Sequence, residues 1–125
     1  MIKDIVRIIY SYLHEYIIYD ETKINWRFLS KNKHPDAIRL LMENQDKINW
    51  IYLSSNEHPD AIRLLMENKD KINWCYLSSN EHPDAIRLLA ENQDKINWEG
   101  LSANPSLFLK NTEWCDAVYE LLIQF

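Results

Sequence analysis

The sequence predicts an all-α fold, an α-solenoid of short two-helix repeats. Three observations predict it. The tetrapeptide Lys-Ile-Asn-Trp starts at residues 23, 47, 71 and 95, a period of 24. A second block, Asp-Ala-Ile-Arg-Leu-Leu, starts at Asp36, Asp60 and Asp84 with the same period. Gly occurs once and Pro four times, so tight β-turns and Gly-rich phosphate loops are nearly excluded. Helices of two or three turns are not stable alone, and a unit this short closes no core. Stacking successive units buries one continuous apolar seam, which is the solenoid solution.

The chain divides as a single domain over 1–125, with a cap helix in 1–22, full repeats at 23–46, 47–70 and 71–94, and a variant repeat at 95–125. The cap comes first. Asp4-Ile5-Val6-Arg7-Ile8-Ile9 has the pattern of the second block, 32 residues before Asp36, which is one period plus an eight-residue insertion. This stretch is apolar, but Asp4, Arg7 and Glu15 interrupt it. No uncharged run approaches the roughly 20 residues of a membrane span. A secretory segment would not carry Asp4 and Arg7 so close together, and no small-residue cleavage site follows. The expectation is a soluble, intracellular protein that is not secreted and not membrane-bound.

Within 47–70, Asn49 is placed to cap a short helix A, its side-chain oxygen accepting from an orphan N–H. Ile48 and Leu53 then have the spacing of a hydrophobic staple. Helix A is expected over Trp50 to Ser55, ending at Asn56 in a left-handed conformation. Pro59 suits the first position of helix B, and Asp60 the positive end of its dipole. Ala61, Ile62, Leu65 and Met66 are expected to form the apolar face. Arg63 and Glu67, four apart, are expected to pair outside. Asn68 ends helix B. At the C-terminus Asp116-Ala117-Val118 opens another version of the second block, again 32 residues from its nearest copy, with the extra residues after Asn104.

The pattern Lys-Ile-Asn-Trp-x-x-Leu-Ser-x-Asn…Pro-Asp-Ala-Ile-Arg-Leu-Leu, over residues 23–104, resembles the short tandem repeats of proteins from giant DNA viruses. The resemblance implies a viral repeat protein, in host cytoplasm or virus particle. More distantly, the pattern is similar to leucine-rich variant repeats, which pair an α-helix with a 3₁₀-helix. That likeness implies a helix A that is partly 3₁₀. The iron–sulfur segment of some such proteins needs a Cys cluster, and the chain has only Cys75 and Cys115. Residues 4–13 resemble the first helix of an F-box, although the usual Leu-Pro start is missing.

Fourteen basic against 19 acidic residues give a formal charge of -5, which disfavours wholesale binding to nucleic acid. Two Cys forty residues apart make neither a disulfide framework nor a zinc site. His34, His58 and His82 recur once per unit, too far apart for shared ligation, and read as loop residues that form a hydrogen bond at the start of helix B. Asp, Glu and His are copied into near-identical settings, whereas acid–base catalysis needs distinct groups converging in one cleft. No catalytic residue, cofactor or metal is assigned. Trp26, Trp50, Trp74 and Trp98 read as packing residues, with an exposed binding ladder as the alternative. Arg39, Arg63 and Arg87 beside Glu43, Glu67 and Glu91 read as a solvated, ion-paired face.

The best candidate partner surface is the stripe along helix A. The position after Trp varies as Arg27, Ile51, Cys75 and Glu99, which marks it as exposed. Beside it run Phe28, Tyr52 and Tyr76, then Gly100. Amphipathic rings of this kind suit interfaces, while packing within the fold is the competing reading and carries somewhat more weight. A second candidate lies at the ends. Ile9 and Leu13 in the cap, and Leu122 and Phe125 at the C-terminus, are apolar where solenoid caps are normally polar. The preferred reading folds these residues over the neighbouring repeat. The alternative pairs one apolar end with a second copy, as a homodimer. The function expected is a protein–protein interaction or scaffold module. The rivals are a structural component of a virus particle and an F-box-like ubiquitin-ligase adaptor.

Overall fold

The computed structural model describes residues 1–13, 20–110 and 119–124, without the side chains of Arg7 and residues 10–13. The Leu13 side chain, Cys115 and Phe125 therefore lie outside the described residues, as do the other members of 111–118. Every element among those described is helical. The order is α1 (Ile2–Leu13), α2 (Trp26–Leu29), α3 (Pro35–Glu43), α4 (Trp50–Leu53), α5 (Pro59–Glu67), α6 (Trp74–Ser78), α7 (Pro83–Glu91) and α8 (Trp98–Ser102), with a last helical stretch over 119–123. Helix A stacks on the next helix A in α6 against α8, and helix B on the next helix B in α3 against α5 and α5 against α7. This is an all-α solenoid.

The expected start signals operate. Asn25, Asn49, Asn73 and Asn97 cap the four A helices, each side-chain oxygen accepting from the backbone N–H three residues on. Pro35, Pro59 and Pro83 open the B helices. The staple pair Ile48 and Leu53 is buried in the core.

Five details differ from the sequence reading. Helix A is only about one turn, Trp50–Leu53, and closes through bonds from Ser55 N to Tyr52 O and Asn56 N to Leu53 O, the 3₁₀ spacing. A separate 3₁₀ turn, at Gln45–Lys47, Lys69–Lys71 and Gln93–Lys95, carries the chain from helix B to the next helix A. Asn56 is not left-handed, since no described non-Gly residue has positive φ. On helix B, Leu64 is buried and Met66 is 47% exposed. Leu88 is buried likewise, but Leu40 in the first unit is only half-buried, so the preceding unit, not the periodicity of one helix, decides this burial. Arg63 pairs with Asp60 at 3.0 Å, one turn back, rather than with Glu67. Asp60 is held in the first helical turn, within reach of the guanidinium.

The core is a column of Ile, Leu and Ala from successive units, including Ile38, Leu41, Leu53, Ile62, Leu65, Leu77 and Leu89. The ends depart from the preferred reading. Ile5, Val6, Ile8 and Ile9 of α1 are each more than half exposed, as are Leu121, Leu122 and Ile123. Neither apolar set is folded away against the neighbouring repeat.

Candidate functional site

Two ladders run along the solenoid, one inside and one outside. The inner ladder fixes the outer one. Asn56 is 1% exposed, and its Nδ2 donates to Ser30 O and Asn32 O of the preceding unit, both at 3.0 Å. Its Oδ1 accepts from His58 N at 3.0 Å. Asn80 repeats this with Ser54 O, Asn56 O and His82 N, and Asn104 with Ser78 O, Asn80 O and Ser106 N. Each buried amide satisfies two backbone carbonyls of its neighbour and one N–H of its own loop. Beside it, Ser54 Oγ donates to Trp50 O and accepts from Asn73 N of the next unit at 2.9 Å. Among the described residues no buried side-chain polar atom lacks a partner. These cross-unit bonds set the stacking register, because a slipped unit would bury unpaired carbonyls.

Sequence reasoning missed this ladder by treating Asn56 as a local backbone stop. A signal was present: Asn104 is kept in the last unit, where Tyr76 has given way to Gly100 and the chain beyond diverges.

The outer ladder is the helix-A stripe. Phe28 and Tyr52 lie with ring centroids 6.0 Å apart and planes at 23°. Tyr52 and Tyr76 follow at 6.2 Å, edge to face at 67°. Phe28 is 57% and Tyr76 41% exposed, with Tyr52 half-buried between them. Arg27 Nη2 donates to Tyr52 Oη at 2.9 Å, and its guanidinium carbon lies 4.9 Å from that ring's centroid. Lys31 Nζ is 5.2 Å from the same centroid. Ile51, the Cys75 thiol and Glu99 are exposed alongside. The structure thus brings Arg27, Phe28, Tyr52 and Tyr76 together, with Ile51 and Cys75 on the adjoining edge. The stripe has electrical direction: basic at Arg27 and Lys31, neutral through the middle, acidic at Glu99.

It ends at Gly100, which carries no ring. A Cβ there would meet Ser79 Oγ at 3.0 Å, and that hydroxyl would give by a few tenths of an ångström, as Ser55 stands beside the Tyr76 ring one unit earlier.

The tryptophans are neither wholly core nor a free ladder. Trp26, Trp50 and Trp74 pack partly buried against the core. The ammonium groups of Lys47, Lys71 and Lys95 cover them from the next unit at 4.8, 5.0 and 5.0 Å. Trp98 is 61% exposed. His34, His58 and His82 accept at Nδ1 from Asp36, Asp60 and Asp84 N, each at 3.1 Å, as side-chain caps of helix B. An accepting Nδ1 leaves the ring proton on Nε2. No group of three or more His, Cys, Asp or Glu positioned for a metal occurs among the described residues. No described helix is long and apolar enough to cross a membrane.

Comparison with family models, with curated proteins and with solved structures finds no match for this chain.

Proposed function

We propose that the chain is a non-enzymatic protein–protein interaction module that holds its partner along the helix-A stripe. The single observation that carries this is the row Phe28, Tyr52 and Tyr76, three rings side by side from three units, with a basic pair at one end. Rings held by a rigid scaffold lose little conformational entropy on binding and bury much area. The direction of charge selects a segment that lays apolar side chains on the rings and carboxylates against Arg27 and Lys31. Near-identical settings for each Asp, Glu and His favour a repeated surface over an active site. The resemblance of residues 23–104 to giant-virus repeats supports placing the partner in an infected cell, as a host or viral protein.

The test compares the parent with a Phe28→Ser, Tyr76→Ser double variant as bait in infected-cell lysate. Both substituted rings are exposed, so the variant should keep the parent's circular dichroism. The parent should retain proteins that the variant loses, and Arg27→Glu should weaken the same capture. Identical captured sets from parent and double variant would reject the stripe as the partner surface.

A further inference from the structure

We propose that the open face of the first unit docks helix α1 of a second copy, so that two chains exchange their N-terminal helices. The observations are separate from those behind the helix-A stripe. End effects show which side chains look backward along the solenoid. Leu64 and Leu88 are each 2% exposed, Leu53 and Leu77 0%, and Ile48 and Ile72 7%. Their counterparts in the first unit, Leu40, Leu29 and Ile24, are only half-buried. With Ala37 they line a cavity of about 270 Å³. In later units this groove is filled by the preceding helix B, α3 against α5 and α5 against α7. Among the described residues no helix fills this groove in the first unit.

The matching plug is in the same sequence. Residues 4–9 are the helix-B block displaced by 32, so Val6 stands for Ile38 and Ile9 for Leu41. Ile38 and Leu41 are 1% and 0% exposed, and Ile38 and Ile62, 1% exposed, are covered where a further helix B follows, while Ile86 on α7 is only partly buried. Val6 and Ile9 are 57% and 52% exposed. Plug and groove therefore carry the two halves of the established inter-unit interface, and both are open in one chain. Residues 44–49 join α3 to α4, whereas the longer segment 14–25 joins α1 to α2. An extended residue spans at most about 3.3–3.6 Å, so the longer connector has the contour length to carry α1 to a neighbouring molecule. Reciprocal exchange fills both grooves and closes about a two-fold axis. It also removes an apolar face that a monomer would leave in water.

Sedimentation equilibrium over a wide concentration range tests this on the full chain. The parent should approach twice 15.1 kDa. A Val6→Lys, Ile9→Lys variant spoils the plug, and a Leu40→Lys variant spoils the groove. Each should sediment as a monomer while keeping the helical circular dichroism of the repeats. Mixing the two variants should restore a dimer, because one intact plug then meets one intact groove. If Leu40→Lys loses its helical signal, Ile24→Lys replaces it as the groove variant. A parent at 15.1 kDa throughout, as when α1 closes on its own groove, overturns the proposal. A dimer that survives the groove variant, as when two α1 helices pair with each other, overturns it too.

Discussion

Asn80 shows how one side chain decides between stacked and unstacked units. Its amide donates to Ser54 O and Asn56 O and accepts from His82 N, at 1% exposure. Alanine there removes one side chain but strands two buried carbonyls and an N–H. At about 1–3 kcal/mol for a stranded group, with partial relaxation, Asn80→Ala should lose roughly 2–4 kcal/mol in urea unfolding. Asn80→Asp keeps the size but turns donors into acceptors facing two carbonyls, and should be at least as damaging. An Asn80→Asp protein as stable as the parent would mean that the amide does not hold the units together. By contrast the exposed pairs Arg39–Asp36, Arg63–Asp60 and Arg87–Asp84 should each contribute well under about 1 kcal/mol, so their regularity is no measure of their weight.

The short helices depend on their neighbours, and the tryptophans report how much. Trp50 opens α4, packs one side on the core and carries Lys71 of the next unit over its ring. Trp98 opens α8 in the same way but is 61% exposed. Trp50→Ala should therefore cost about 3 kcal/mol, the low end for aromatic truncations. Trp98→Ala should stay within about 0.5 kcal/mol, as surface changes usually do. Equal losses at the two positions would contradict the partial burial that separates them. Local signals made these elements legible: Asn49 before Trp50 and Pro59 before Asp60 fix both helix starts within a few residues. Helix ends were not legible in the same way. The 3₁₀ turn Lys69–Lys71 is closed by local backbone bonds with no capping side chain to announce it, and Leu64 is buried where its first-unit counterpart Leu40 is only half-buried, a difference that stacking makes and no single unit encodes.

Over the whole molecule, the period of 24 made the solenoid legible because identical sequence in successive units can satisfy its apolar faces only by stacking. The stripe was legible for a related reason. Arg27, Ile51, Cys75 and Glu99 vary where the preceding Trp does not, which marked that position as exposed; the rings of Phe28, Tyr52 and Tyr76 beside it fitted packing as well as a surface. The pairing of Arg27 with Tyr52 and the run from basic to acidic needed three dimensions. If the units are interchangeable, removing residues 47–70 sets Lys71 after Asp46 and hands Asn80 the carbonyls of Ser30 and Asn32 that Asn56 had held. Every cross-unit bond is then remade in register. Equilibrium urea unfolding of this shortened chain, followed by circular dichroism, is the most direct test of stacking. A single cooperative transition is predicted, with a lower midpoint and a smaller m-value than the parent, since less surface is exposed on unfolding. A shortened chain that is helical without a cooperative transition, or unfolded in water, would contradict the interchangeable stacking on which the solenoid rests.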